Sequence, residues 1–311
     1  MISLYANALA AARTAAASQA YPQCTLYVVA TPIGNLADIS LRALHVLALV
    51  DTVACEDTRH TQQLLKAYGI DKTSAQLMAV HQHNEAEAAV AVMDRLRQGQ
   101  RVAYVSDAGT PGISDPGARL VAAVRAQSIR VMPLPGASSV TTAMSAAGVV
   151  SNSTGDAELS TGFVFAGFLP SKSLERMHAI QAIAAEPRSV VLMEAPHRIE
   201  ALATALASLG ERPVTVAREL TKQFEEIATV LASDLTAWLG EQPNRLRGEF
   251  VLVVHPAKVA QETGQDLRVL KILLAEVPLK TAVKLAVEIT GEHRNTLYEQ
   301  ALALKSDVEP D

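Results

Sequence analysis

From Thr25 to Ala147 the chain alternates five times between a short apolar run and a helical pattern, and every apolar run ends in turn residues. The runs are Thr25 to Ala30, Thr52 to Cys55, Gln76 to Val80, Arg101 to Val105 and Arg130 to Leu134. Helical patterns follow at Ile39 to Val50, at Thr61 to Tyr68, up to about Gln98, after Gly117, and up to about Ala147. Strands alternating with helices predict right-handed βαβ units and a mostly parallel sheet. In such open sheets ligands bind outside the carboxyl ends of the strands. The turns there are therefore the first place to look for function.

Three of those turns are alike in being built from glycine, proline and small polar residues. They are T-P-I-G-N from Thr31, S-D-A-G-T-P-G from Ser106, and P-G-A-S-S from Pro135. The longest stretch, Tyr104 to Gly117, carries Gly109, Gly112 and Gly117, which permit close backbone approach or φ > 0, and Pro111 and Pro116, which remove two amide donors. Neither G-x-x-x-x-G-K-[ST] nor G-x-G-x-x-G is present, so polyphosphate and dinucleotide cradles are disfavoured. Gly112-Ile113-Ser114-Asp115-Pro116 lacks the last glycine of a serine-hydrolase elbow. What remains is a pocket of backbone groups and small polar side chains, suited to an adenine and a ribose without phosphates. The structural alternative is a rigid loop with no ligand.

The polar segment Ser151 to Ser160 is the best linker. Beyond it, strand candidates lie at Phe163 to Ala166, Ser189 to Met193, Pro213 to Ala217, Phe224 to Val230 and Phe250 to Val254, with helices near Ser173 to Ala185, Ile199 to Leu209 and Leu235 to Leu239. Two adjacent β candidates around Thr221 predict antiparallel pairing. Residues Ala257 to Gln265 form a second linker, and three short helical patterns close the chain. The expected organisation is a flexible extension over 1–21, a parallel α/β domain over 22–150, an α+β domain over 161–256 and a small helical tail over 265–306. In the extension Arg13 interrupts the apolar stretch, unlike a signal peptide. The 311 residues carry a net charge of −5, so no global basic field draws nucleic acid, and RNA would need a local basic cleft. Two cysteines, Cys24 and Cys55, make no disulfide framework or metal set, which places the chain in a reducing cytoplasm. No apolar run reaches membrane-spanning length.

Several polar groups sit at strand ends. Glu56-Asp57-Thr58-Arg59 serves either as a general base or as a cap for the next helix. His81, His83 and Glu85, with His60 upstream, read as metal ligands, as a solvated loop, or, as favoured here, as substrate hydrogen-bonders through His83, Asn84 and Glu85. His197-Arg198 and Arg218 to Lys222 line a phosphate-gripping cleft or form an ion-paired surface with Glu219, Glu225 and Glu226. The tail around His293 and Arg294 is an RNA contact of helix-turn-helix type or a packing hairpin.

Nine segments in order resemble the bacterial small-subunit rRNA cytidine-2′-O-methyltransferase family (RsmI) of the tetrapyrrole-methylase-like superfamily: V-V-A-T-P-I-G-N-L-A-D-I-S-L-R-A, E-D-T-R-H-T, H-Q-H-N-E, V-S-D-A-G-T-P-G-I-S-D-P-G, P-L-P-G-A-S-S-V, F-A-G-F-L-P, E-A-P-H-R-I, A-R-E-L-T-K-Q-F-E-E and G-E-F-V-L-V-V. The tail P-L-K-T-A-V-K-L-A fits as well. The resemblance implies an α/β fold of two domains with the cofactor cleft between them and a small C-terminal helical segment. It implies S-adenosylmethionine as cofactor, a homodimer, and methylation of a cytidine 2′-hydroxyl in the decoding region of 16S rRNA or of the small ribosomal subunit. Carried onto this chain, the cofactor side is Pro32, Gly34, Ser106, Asp107, Gly109, Thr110, Pro111, Ser138 and Ser139. The catalytic candidates are Asp57, Glu56 and His83, in that order, with no metal. The RNA side draws on Arg59, Asn84, Glu85, His197, Arg198, Arg218 and Lys222. Two other functions stay open: a tetrapyrrole methyltransferase of the same fold, and a non-catalytic RNA-binding assembly factor.

Overall fold

The computed structural model describes residues 5–81, 84–150, 162–257 and 263–306. The linker expected over Ser151 to Ser160 and the candidate base His83 lie outside the described residues. The chain forms two compact units, Met1–Pro256 and Ala257–Asp311. The first unit holds two five-stranded sheets, so the two α/β parts read separately from sequence share one compact body.

The first sheet contains β1 (Thr25–Val29), β2 (Thr52–Cys55), β3 (Leu77–Ala79), β4 (Arg101–Val105) and β5 (Arg130–Leu134), in the order β3-β2-β4-β1-β5. Every pairing is parallel. Both faces are covered, as an all-parallel sheet requires. Tyr27, Val29, Val53, Cys55, Ala103 and Val105 pack with Leu44 and Leu47 of α2 (Leu41–Leu49) and Leu65 of α3 (Thr58–Ala67). Alternate residues Leu26, Ala54, Val102 and Tyr104 face the other way, toward Val92 of α4 (Glu85–Arg97) and Leu120 and Val124 of α5 (Gly117–Ala126). The chain winds in one direction from β1 to β3, then reverses through β4 to β5. The reversal opens a crevice at the carboxyl ends of β1 and β4, where parallel sheets of this kind bind ligands.

The second sheet runs β6-β7-β10-β8-β9. Its strands are β6 (Phe163–Gly167), β7 (Ser189–Glu194), β8 (Pro213–Arg218), β9 (Glu226–Leu231) and β10 (Phe250–Val254). Only β6 and β7 pair in parallel; β10 is antiparallel to both of its neighbours, and β8 and β9 form the expected antiparallel pair. Strand β9 begins at Glu226 and not at Phe224, because the chain first turns through Glu219 and Thr221, both at positive φ (52° and 67°). One face packs on α7 (Ser173–Ala185), α8 (Ile199–Leu206) and α9 (Leu235–Gly240), using Leu192, Val216 and Leu252. The other face, through Val191, Ala217, Val251 and Val253, receives Val140 and Ala143 of α6 (Ser139–Ala146). Helix α6 begins at the end of β5, so the packing that buries it also brings the turns of the first sheet against the second.

Residues near the start of the chain are not a free extension. Helix α1 (Ala6–Ala16) buries Leu9, Ala12 and Ala16, and Leu9 and Ala12 join the core of α2. The Tyr5 ring lies 5.5 Å from that of Tyr68. Alanines at helical spacing make a face flat enough to lie on α2, a signal hidden by the segment's low complexity. Deleting residues 1–17 uncovers Leu44 and Leu47 and is expected to lower Tm by roughly 5 °C or more, checked by thermal unfolding; an unchanged Tm would mean that α1 contributes nothing to the core.

The second unit contains α10 (Thr263–Glu276), α11 (Leu279–Thr290) and α12 (Arg294–Ser306) around a core of Leu270, Val283, Ala286, Leu297 and Ala301. Gly291, at φ 75°, ends α11 by donating its N–H to the Val287 carbonyl at 2.9 Å, a left-handed C-terminal cap. Among the described residues no helix is long and apolar enough to cross a membrane.

Candidate active site

The turns after β1 and β4 are joined backbone to backbone. Thr31 N donates to Gly109 O at 3.0 Å, and Gly109 N returns to Thr31 O at 3.1 Å. Gly109 takes φ 84°, a conformation few other residues adopt. The Thr110 hydroxyl ties the same loop to the Ala137 carbonyl of the third turn at 2.9 Å. Asp115 braces the far end of the loop, accepting from Gly112 N at 2.7 Å, Gly117 N at 2.8 Å and the buried Tyr104 hydroxyl at 3.1 Å. The punctuated loops thus form one cross-linked rim.

Three cavities open around Ala108 of that rim. One of about 180 Å³ has the more polar lining, with Glu56, Ser106, Thr110, Asp115, Ser138 and Ser139 beside apolar Ile113 and Val140. A second, of about 270 Å³, lies against the second sheet and is mostly apolar, with Ile33, Phe168, Ala217, Leu220 and Val251, plus Glu194 and Glu249. These two share Ala108, Ser139, Phe168 and Met193, so they are chambers of one cleft. The third, about 340 Å³, lies beside α3 and is lined by Pro32, Gly34, Leu36, His60, Gln63 and Asp107. Among the described residues no lysine or arginine lines any of the three. The cleft therefore suits an uncharged or cationic amphipathic ligand and not a polyphosphate.

The nine residues placed on the cofactor side distribute unevenly. Ser106, Gly109, Thr110, Ser138 and Ser139 meet in the polar chamber. Pro32, Gly34 and Asp107 line the cavity beside α3. Pro111 is buried and lines none of the three.

Glu56 and Asp57 are adjacent in sequence and opposite in character. Glu56 faces the polar chamber, and its Oε1 accepts the Asp107 N–H at 3.0 Å. Burial pushes its carboxyl up from the ordinary value, and the nearby Asp107 and Asp115 carboxylates add to the rise. Asp57 instead caps α3, accepting from Arg59 N at 2.8 Å and pairing with the Arg59 guanidinium at 3.1 Å. The Arg59 side chain holds it down to about 2. Of the two roles open to Asp57, this geometry is that of the cap.

The residues expected to meet RNA line none of these cavities, and most are engaged internally. Asn84 accepts from His81 N at 2.8 Å and donates to Ala79 O at 3.0 Å, pinning the end of β3. Glu85 pairs with Arg119 at 2.6 Å. The Arg198 guanidinium donates to the Leu169 carbonyl and lies 3.1 Å from Glu194. Arg218 is buried, and bonds Glu226, Arg247 O and Phe224 O. Lys222 lies against Gly34 and pairs with Glu219 at 2.8 Å and Glu249 at 3.0 Å. Of the two readings open for Arg218 and Lys222, these contacts are those of an ion-paired surface, and with Arg198 they fasten the second sheet's turns. Arg59 and His197 remain exposed. Sequence reasoning passed over Glu194, Phe168 and Met193. Glu194 had a signal, an acid ending an apolar strand in E-A-P-H-R, but its place in the cleft depends on long-range packing.

This fold and cleft are those of the Tetrapyrrole (Corrin/Porphyrin) Methylases, whose family pattern matches residues 25–236. Among solved structures the chain is similar to a cobalamin biosynthetic enzyme, cobalt precorrin-4 methyltransferase (TM-score 0.53, 18% identity, covering 74% of this chain and 95% of that one), and to diphthine synthase (TM-score 0.54, 14% identity, 74% and 90%). At such identities the likeness is one of fold alone. Residues 259–305 match the RsmI C-terminal HTH domain. The protein named ribosomal RNA small subunit methyltransferase I is 48% identical in Escherichia coli O157:H7 (90% of this chain, 95% of that protein) and 47% identical in Pseudomonas aeruginosa (89% and 96%). The chain belongs to this ribosomal RNA small subunit methyltransferase I family.

Proposed function

We propose that the chain methylates the 2′-hydroxyl of a cytidine in the decoding region of 16S rRNA, as a homodimer and with S-adenosylmethionine as methyl donor. The observation that carries the reading is the two-chambered cleft, in which motif segments from several turns surround one space whose described lining holds no lysine or arginine. The residues fit the cofactor: Glu56 and Asp115 offer negative charge to a cationic donor, and the apolar chamber offers a slot for a flat base. When bound, S-adenosylmethionine supplies a methyl group activated by a sulfonium. The rim, cross-linked through Thr31, Gly109 and Thr110, holds its shape without ligand, so alignment needs little rearrangement. The ribose hydroxyl is a very weak acid and loses its proton as the oxygen gains the methyl group. Glu56 is the group best placed to take that proton, being held at the chamber wall with a raised affinity for it. RNA contact falls to exposed groups such as Arg59 and His197, so binding should weaken with salt.

Incubation with methyl-labelled S-adenosylmethionine and either undermethylated small subunits, free 16S rRNA or a tetrapyrrole tests this. Label is expected in a cytidine ribose of the RNA. Label in the tetrapyrrole alone would make this a small-molecule enzyme, and absence of cofactor binding by calorimetry would favour an assembly factor.

A further inference from the structure

We propose that the cavity beside α3 seats the target nucleoside and that the Asp107 carboxylate selects cytosine there by accepting its N4 amine; this rests on the reading that the chain methylates a cytidine ribose. The two chambers given to the cofactor share Ala108, Ser139, Phe168 and Met193, whereas the third cavity borders them only at Ile33 and Ala108. At about 340 Å³ it is the largest of the three and within the range of small-ligand sites. One wall is a single stripe of α3, His60, Gln63, Leu64 and Ala67, at the i, i+3, i+4, i+7 spacing that faces one way. The other is the turn after β1, with Pro32 and Leu36. Leu36 and Leu64 also pack on the core, so both walls are anchored.

Single-stranded RNA is read by splaying out a base, stacking it on a ring and bonding its Watson–Crick edge. The cavity offers apolar surface in Pro32, Leu36 and Leu64, a ring in His60, and polar groups in His60, Gln63 and Asp107. The Gln63 amide and the His60 imidazole can each donate or accept, so neither separates cytosine from uracil. A carboxylate only accepts. It takes a hydrogen bond from the N4 amine of cytosine and repels the O4 carbonyl that uracil has in its place. Asp107 is exposed, and its Oδ1 is held by the Asp57 N–H at 3.2 Å. No other hydrogen bond or ion pair of this carboxylate occurs among the described residues, so Oδ2 is left for a ligand. Asp107 N donates to Glu56 Oε1 at 3.0 Å, which ties the residue that reads the base to the one that takes the proton from its sugar. Ala108, which lines all three cavities, marks where that sugar meets the cofactor.

The test uses the full chain, S-adenosylmethionine and undermethylated small subunits that carry either cytidine or uridine at the methylated position. The wild type is expected to favour cytidine by about 100-fold in kcat/KM. Asp107→Asn keeps an oxygen for the Asp57 N–H and adds a donor. Its preference is expected to fall below about tenfold, with the uridine particles gaining in absolute rate. Any effect of the lost charge on Glu56 acts on both substrates and cancels in the ratio. A wild type that methylates both particles alike overturns the proposal whether or not the variant folds. An unchanged ratio in a folded variant overturns the role of Asp107. Ala67→Phe, which puts a ring into the cavity, is expected to raise KM for the subunits by about tenfold or more while S-adenosylhomocysteine binds as before by calorimetry. An unchanged KM, or a loss of cofactor affinity in its place, overturns the nucleoside seat and leaves the functional reading standing. A wild type that transfers to neither particle overturns both.

Discussion

Glu56→Gln is expected to lower kcat for methyl transfer by about 10²–10⁴-fold, the span that a positioned general base supplies, while S-adenosylmethionine still binds. The variant keeps an oxygen for the Asp107 N–H, so the tie between the two loops survives. What it loses is the ability to take a proton. The wild-type pH profile should carry the mark of this group. A base works only when deprotonated, so kcat falls as pH drops through the Glu56 pKa. Burial raises that pKa, so the acid limb lies above the ordinary glutamate range, and it should vanish in the glutamine variant. Single-turnover rates across pH decide the matter, and a limb that persists in Glu56→Gln would assign it to another group. Asp57, held to about 2, stays ionised across the neutral range and leaves no such mark. Its linkage is to stability: with a folded pKa below the ordinary 3.8, it favours the native state above that value and loses the effect as pH falls toward 2. Asp57→Ala should therefore lower Tm slightly through the lost cap and spare chemistry more than Glu56→Gln does.

This ordering of the two acids shows where sequence reading stops. Periodicity and punctuation located β2, β4, β5 and β10 to the residue, because each is a short apolar run bounded by turn residues. The same logic put the punctuated loops on one sheet edge, and the Thr31 to Gly109 bridge shows how closely two of them meet. Charge was less legible. Of the two readings open for Arg218 to Lys222, a basic cleft or an ion-paired surface, the geometry is that of the second: Arg218 pairs with Glu226 and Lys222 with Glu219, both named from sequence, while the further partner of Lys222, Glu249, comes from the turn before β10. Whether an arginine faces solvent or a carboxylate depends on register across a sheet, which local pattern does not encode. Helix α1 was misread for a related reason. An alanine-rich stretch carries little hydrophobic signal of its own, and only the apolar surface of α2 makes it a packed helix.

Gly117→Ala is expected to destabilise the first unit by about 1–3 kcal/mol or more through overpacking and to abolish cofactor binding together with it. A Cβ at this position would fall inside the contact distance of the Tyr104 ring and lie 2.7 Å from Asp115 Oδ1. Neither neighbour can yield cheaply. The Tyr104 side chain is fully buried among Leu26, Ala54, Leu120 and Val124. Asp115 is the brace that holds Gly112 N, Gly117 N and the Tyr104 hydroxyl in place. The added methyl must therefore displace either the core beneath the sheet or the brace above it, and the brace shapes the wall of the polar chamber. Thermal unfolding and S-adenosylmethionine titration of the variant report the two losses separately. A double-mutant cycle with Tyr104→Leu sharpens the test. If the ring is the obstacle, the pair is less destabilised than the sum of the two single variants, because the smaller side chain leaves room for the methyl group. Strict additivity, or a Gly117→Ala variant with wild-type Tm and affinity, would show that the loop relaxes without cost and that Gly117 is not what fixes its shape.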